Sequence, residues 1–219
     1  TPLTVIQGIT QQLQENPHKD LNRRTNLIQS NANNLLNLVN QLLDLSKIDS
    51  AHLKANYQLK EVVSFVQYVG ESFESLAAKK SIRLQIYDEM DALTMAVDEI
   101  KVQKIISNLL SNAIKFTPSG GHIKVTVGWT QTGGQYVTVA DDGPGIPAEE
   151  IPVVLSAFGQ GSIAIKNAEQ GTGLGLPIVQ ALLHIHGGKF ELRSKLREGT
   201  QAIAVLPVGR VLQELPAEP

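Results

Sequence analysis

The sequence predicts an α+β protein in two parts, a helical hairpin followed by a sandwich of a sheet with helices on one face. Three observations carry this. Residues 1–55 repeat their apolar positions at helical three–four spacing. From about Asn56 onward, short stretches alternate apolar and polar residues with period two, and helical stretches lie between them. Each alternating stretch keeps one polar face, the pattern of a sheet that is packed on one side only.

The elements follow in order. Leu3, Ile6, Ile9 and Leu13 predict a first helix, broken at Asn16–Pro17. A second, longer helix is expected from about Asp20 to Leu53. Ile28, Leu35, Leu38, Leu42 and Leu45 trace its stripe, and Leu36, Val39 and Leu43 widen it. So wide a seam suits a hairpin packed into a bundle, because two helices cannot bury both faces alone. Dimerisation into a four-helix bundle is expected. Asn31 lies in the seam, where a polar residue fixes register at some loss of stability. Further on, Ile82, Leu84 and Ile86 predict a strand, as do Ile123, Val125 and Val127, then Val137 and Val139, then Phe190 and Leu192. Ile203 and Val205 close the series. Helices are expected near 60–79, 98–115 and 176–186, with Asp98 as an N-cap and Gly187 at a C′ position. The tail at 209–219, with prolines in and around it, is expected to fray.

Composition narrows the function classes. The 219 residues carry 19 Lys+Arg against 21 Asp+Glu, a net −2, which argues against a polycationic nucleic-acid binder. With 42% hydrophobic and 18% charged residues the chain can bury a sizeable core. The absence of cysteine excludes disulfides, Cys-ligated zinc, iron–sulfur clusters and thiol nucleophiles. No apolar run approaches the ~18–20 residues of a membrane span and no signal-peptide pattern opens the chain, so a soluble chain is expected.

Four clusters carry chemistry. Asn108, Asn112 and Lys115, followed by Phe116, fall at i, i+4 and i+7 near the end of a helix and share a face. Amide oxygens are hard neutral ligands that suit Mg²⁺; the same residues also fit the solvated side of an amphipathic helix. Asp141-Asp142-Gly143-Pro144-Gly145-Ile146 directly follows a strand. There the glycines admit a flat ligand and a carboxylate can accept from an exocyclic amine, although an ordinary turn has the same composition. Gly171-Thr172-Gly173-Leu174-Gly175-Leu176 runs into a helix and exposes backbone N–H groups, an anion site. It lacks the leading strand of a dinucleotide fold and the Gly-Lys-Ser/Thr ending of a Walker loop. Ala157-Phe158-Gly159-Gln160-Gly161 opens a polar stretch leading to Gly171, with the length and composition of a mobile lid.

In this order the four clusters resemble the N, G1, F and G2 boxes of the GHKL superfamily, which includes sensor histidine kinases, gyrase-type ATPases, Hsp90 and MutL. Thr1-Pro2-Leu3 is similar to the end of the histidine-kinase H box, His-Glu-Leu-Arg-Thr-Pro-Leu. The hairpin ending Leu45-Ser46-Lys47-Ile48-Asp49 is similar to the dimerisation and phosphotransfer helices of that family, and of large hybrid sensor kinases in particular. The Phe-Gly-Gln and Gly-Leu-Pro-Ile-Val stretches are similar to alphaproteobacterial cell-cycle kinases. The resemblance implies that 1–55 is a truncated dimerisation and phosphotransfer hairpin. It implies that 56–208 is an ATP-binding domain with a mixed sheet of the Bergerat type. A homodimer, a response-regulator receiver domain as partner, a cytoplasmic location and membrane attachment only through segments absent from this chain are implied as well.

Carried over, the resemblance gives Asn112 a Mg²⁺ ligand role, supported by Asn108, and gives Lys115 the phosphate oxygens of ATP. Phe116 packs near the adenine, Asp141 reads its amino group, and Gly143, Gly145 and Ile146 shape the pocket. Phe158 belongs to the lid box. Gly171, Thr172, Gly173, Leu174, Gly175 and Leu176 form the phosphate loop, and Thr200 lies near the base. The acceptor histidine would stand four residues before Thr1, together with its acidic neighbour. Gln160 stands where many relatives carry arginine, and Lys166 is a candidate substitute cation. Asn108 replaces the glutamate with which gyrase-type ATPases orient water, so direct hydrolysis should be slow. Of the five histidines, His18, His52, His122, His184 and His186 read as structural or solvated. A protein Ser/Thr kinase, a GHKL ATPase and a nucleotide-binding pseudokinase are the alternative readings.

Overall fold

The computed structural model describes residues 2–16, 20–49, 54–89, 93–129, 134–163 and 171–207. Thr1, His18, His52, Lys166, most of the lid and the 209–219 tail lie outside the described residues. The chain divides into two compact units, Thr1–Ser50 and Ala51–Pro219.

The first unit is the hairpin of α1 (Pro2–Glu15) and α2 (Leu21–Asp49). Ile9 is buried and Ile6 and Leu13 are half-buried; on α2 the half-buried positions include Ile28, Asn31, Leu35, Leu38 and Leu45. Arg24 Nη1 donates to the carbonyls of Gln12 (3.2 Å) and Asn16 (3.0 Å), placing a cation at the negative end of α1. Asn31 Nδ2 donates to Leu27 O at 2.8 Å, within its own helix. The widening residues Leu36, Val39 and Leu43 remain uncovered, as does Leu42 of the stripe itself; Leu36 is 59% exposed.

The second unit is built on a five-stranded sheet in the order β2-β4-β5-β7-β6, from β2 (Arg83–Asp88), β4 (His122–Trp129), β5 (Gln135–Asp141), β6 (Lys189–Lys195) and β7 (Gly199–Leu206). β2 and β4 are parallel and the other neighbours antiparallel, so the sheet is mixed. A second, two-stranded sheet pairs β1 (Gln58–Glu61) with β3 (Thr94–Val97). Helices α3 (Val62–Glu71) and α4 (Glu74–Lys79) pack towards β2, and α5 (Glu99–Phe116) packs on β5 and β7. The short α6 (Ile151–Val154) follows a 3₁₀ turn, and α7 (Gly175–Ile185) packs on α5, β6 and β7. The core lies between sheet and helices and includes Ile106, Leu109 and Leu110 of α5 and Val125, Val127, Val137 and Val139 of the sheet, all buried.

Helix ends fall where the sequence placed them. Asp98 is the N-cap of α5, with Oδ1 accepting from Lys101 N at 3.1 Å. Gly187 (φ +70°) follows α7 as expected. Gly187 N–H donates to His184 O (2.9 Å) and Gly188 N–H to Leu183 O (2.8 Å), the paired bonds of a Schellman motif.

One expectation changes and two become more specific. The helix expected over 60–79 is two helices preceded by a strand. Glu61 is extended and its carboxylate accepts from Val63 N (3.0 Å) and Ser64 N (2.7 Å), so it caps α3. A turn at Ser72–Phe73 then separates α3 from α4, with Ser72 Oγ donating to Val69 O at 2.6 Å. On β7 the residues opposite Val139 and Val137 are Ala202 and Ala204, so Ile203 and Val205 belong to the other phase. Both phases of this strand are apolar, and only the pairing with β5 chooses between them. His186, one of the histidines read as structural or solvated, is structural: it is fully buried. Nδ1 lies 2.8 Å from Leu182 O, which can only accept, and Nε2 lies 3.3 Å from Asp98 N–H, which can only donate. The ring is therefore neutral, with its proton on Nδ1.

Candidate functional site

The helical period delivers Asn108, Asn112 and Lys115 to one face of α5. Asn108 Nδ2 donates to Lys104 O at 2.8 Å, which turns Oδ1 towards the start of α7. A Cβ added at Gly175 would lie 3.1 Å from Asn108 Oδ1 and 3.5 Å from Asn112 Nδ2. One at Gly171 would lie 2.8 Å from Lys115 Nζ, so the ammonium stands over the glycine loop. The same ammonium is 4.7 Å from the Phe116 ring centre, a cation–π contact. Leu174, at the N-cap of α7, offers no capping side chain, and Pro177 has no N–H. Among the described residues no side chain caps this helix start, so the N–H groups of Gly175 and Leu176 suit an anion.

The second cluster sits at the end of β5. Asp141 Oδ1 accepts from Gly143 N at 2.9 Å, and the Thr200 N–H also donates to this carboxylate. Burial pushes the Asp141 carboxyl up to about 6 against the pull of those two N–H groups, and the neighbouring Asp142 charge adds to the rise. Gly143 leaves no room for a side chain, since its Cβ would lie 2.7 Å from Asp141 Oδ1 and 3.3 Å from Phe116 O. Phe116 thereby joins the base-side and phosphate-side clusters. Gly145 (φ +69°) presses on Lys195 O, and Ile146 N–H donates to Ser194 Oγ at 2.8 Å.

The lid box meets the glycine loop directly. Phe158 N–H donates to Gly173 O at 3.0 Å, and a Cβ at Gly173 (φ +70°) would strike Phe158 Cα at 2.7 Å. Phe158 has φ 63° and is 59% exposed. Gln160 Nε2 donates to Gly171 O at 2.6 Å, tying the two ends of the lid stretch to each other. Lys166 lies outside the described residues.

Two residues escaped the sequence reading. Ser194 Oγ donates to Gly199 O (2.9 Å) and contacts Thr200 Oγ1 (2.8 Å) while accepting from Ile146 N–H. It shares a face of β6 with Phe190 and Leu192, and a polar residue on an apolar face was the available signal. Lys80 Nζ donates to Ile114 O (3.0 Å) and Lys115 O (2.5 Å), capping the end of α5 that carries Lys115 and Phe116. No local pattern announces that contact.

The chain belongs to the family described as histidine kinase-, DNA gyrase B-, and HSP90-like ATPase, which matches residues 97–210. A His Kinase A (phospho-acceptor) domain matches residues 1–51, and the two together are the catalytic core of a two-component sensor histidine kinase. Hybrid signal transduction histidine kinase D of Dictyostelium discoideum is 35% identical over 214 residues, 95% of this chain and 14% of that protein. Full-length ShkA, solved in complex with AMPPNP, is 27% identical with a TM-score of 0.74, over 85% of this chain and 38% of that one. ThkA, solved in complex with the response regulator TrrA, has a TM-score of 0.74 at 24% identity, over 94% of this chain and 57% of that one. The chain spans between 14% and 35% of the length of the first curated relatives it matches. Among the described residues no helix is long and apolar enough to cross a membrane.

Proposed function

We propose that this chain binds Mg²⁺-ATP at the junction of α5, the end of β5 and the start of α7, and serves the phosphoryl-transfer step of a cytoplasmic sensor kinase. In this reading 1–55 is the truncated dimerisation and phosphotransfer hairpin and 56–208 the ATP-binding domain. The observation that carries it is the convergence of two amides, one ammonium and an uncapped helix N-terminus at Gly171–Gly175.

Asp141 accepts from the adenine amino group, with Thr200 beside the base and Gly143, Gly145, Ile146 and Phe116 shaping its pocket. Lys115 and the N–H groups of the Gly171–Leu176 loop hold the phosphate oxygens. The donors fit Mg²⁺. Among the described residues no group of three or more His, Cys, Asp or Glu could cage a metal, and neutral amide oxygens suit an ion that takes its other ligands from phosphate and water. Asn112 would hold it, supported by Asn108, and the ion would supply charge neutralisation on the phosphates. In the parent protein an imidazole nitrogen four residues before Thr1 attacks the γ-phosphorus, and the bond to the β–γ bridging oxygen breaks as ADP leaves. The phosphoryl group then passes to a receiver-domain aspartate. Asn108 cannot deprotonate water, so hydrolysis remains slow.

The test is a longer chain that restores His-Glu-Leu-Arg and the preceding helix ahead of Thr1, incubated with γ-labelled ATP. Acid-labile label is expected on the longer chain and none on the 219-residue chain. Acid-stable label, or steady hydrolysis that Asn108→Ala abolishes, would move the protein to a different branch of the superfamily.

A further inference from the structure

His122 opens β4 and Asp142 follows β5, and the two face each other one step beyond the Ile123–Asp141 pair. Three contacts join them. Asp142 N–H donates to His122 O (3.2 Å), Asp142 Oδ1 accepts from His122 N–H (2.8 Å), and Asp142 Oδ2 lies 2.9 Å from His122 Nδ1. Glycines close in on the same residues. A Cβ at Gly121 would lie 2.6 Å from Asp142 Oδ1, and one at Gly199 (φ +94°) would lie 2.0 Å from Asp141 O and 3.1 Å from Asp142 Cα. The backbone of Asp141–Asp142 is thus gripped between the start of β4 and the start of β7. Successive residues point to opposite faces, so Asp141 turns towards the helices while Asp142 turns to the open face of the sheet.

We propose that His122 and Asp142 form a positioning pair that holds the Asp141 carboxylate in place for an adenine base and makes nucleotide affinity respond to pH. The inference rests on Asp141 being the base-reading carboxylate. Two carboxylates on consecutive residues repel, and a protonated His122 offsets the outer charge at the distance of an ion pair. Burial works to raise Asp142, but the His122 N–H, ring and charge outweigh it and hold that carboxyl below its ordinary value, so it is the standing negative charge of the two. Most of the other charged groups nearby have partners among the described residues. Lys195, in register with Gly199, pairs with Glu198, and Arg193 pairs with Glu191. Lys124 lies over the Tyr87 ring, and Lys115 over the Phe116 ring. Arg83 stands beside His122 in the parallel register and is exposed. His122 and Asp142 are themselves 55% and 48% exposed, so solvent screens the coupling and the shift is modest.

The experiment follows the carboxyl carbon of Asp141 by NMR in the full 219-residue chain without nucleotide, over about pH 5 to 8. Mg²⁺-ATP affinity is measured calorimetrically across the same range. Asp142→Asn should lower the Asp141 midpoint by roughly half a pH unit, and His122→Gln should raise it by a similar amount. The double variant should return the midpoint close to the parent value, because the outer negative charge and its offset are removed together. The pH midpoint of nucleotide affinity should move with the NMR midpoint in each case. Asp141 midpoints that stay at the parent value in both single variants overturn the proposal. If the midpoints move as expected while Asp141→Asn binds nucleotide as tightly as the parent, the base-reading assignment falls, and the positioning role for adenine falls with it.

Discussion

Burial pushes the Asp141 carboxyl up to about 6, well above its ordinary 3.8. A carboxyl with a raised folded-state value favours the fold fully below its unfolded value, and that contribution is lost as pH rises through about 6. At pH 7.5 the ionised Asp141 is therefore a strain on the free protein, relieved when a ligand donates a hydrogen bond to it. Asp141→Asn should raise the melting temperature at pH 7.5 by about 2–6 °C and leave it nearly unchanged near pH 3.5, below the unfolded value, as read by calorimetric or fluorescence melting. A lower melting temperature at pH 7.5 would contradict this reading of the site. At this scale the sequence was informative wherever spacing alone brings groups together. Asn108, Asn112 and Lys115 share a face because 3.6 residues make a turn. Lys80 was not legible, because its partners lie 34 and 35 positions away, and Ser194 showed only as a polar residue on an apolar face, since its bond to Ile146 spans 48 positions.

Elements were legible where a local group fixes their ends. Asp98 was recognisable as an N-cap, and the fold uses its carboxylate further, for Asn56 N–H at 2.8 Å and for Lys101 Nζ at 2.5 Å. Burial acts to raise this carboxyl, but the Lys101 side chain and the two N–H groups prevail and hold it below its ordinary value. Its contribution is therefore present above the unfolded value and lost as pH falls through the lower folded one. Asp98→Ala should lower stability at neutral pH by about 1–2 kcal/mol or somewhat more, read as a shift in the urea midpoint with unchanged slope. An unchanged midpoint would remove Asp98 from the structural account. By contrast, β1 and β3 are four residues each, too short for alternation to register, and the start of α3 depends on Glu61, whose third bond is to Leu93 N at 2.8 Å. Long-range contacts decide such elements, and periodicity does not carry them.

At the scale of the whole molecule the hairpin exposes the apolar positions that its own two helices leave uncovered. Leu36, Val39, Leu42 and Leu43 are exposed on α2, and Leu3 and Val5 on α1. A seam of this width is expected to close against a second copy of the chain. Sedimentation should show a dimer at micromolar concentration, and Val39→Glu with Leu43→Glu should yield a folded monomer that still binds nucleotide. A parent chain that sediments as a monomer at every concentration would refute the bundle.

The central claim is that Asp141, Asn112 and Lys115 belong to one ATP site although they come from two separate elements. Calorimetric titration of Mg²⁺-ATP into the 219-residue chain at pH 7.5 tests it most directly, with Asp141→Asn, Asn112→Ala and Lys115→Met run alongside the parent. The account predicts one nucleotide per chain and a loss of affinity of at least ~10-fold for Asp141→Asn. Asn112→Ala should bind less tightly only when Mg²⁺ is present, and Lys115→Met should weaken ATP more than adenosine. Nucleotide affinity unchanged in all three variants, or no binding by a parent chain that melts cooperatively, would contradict it.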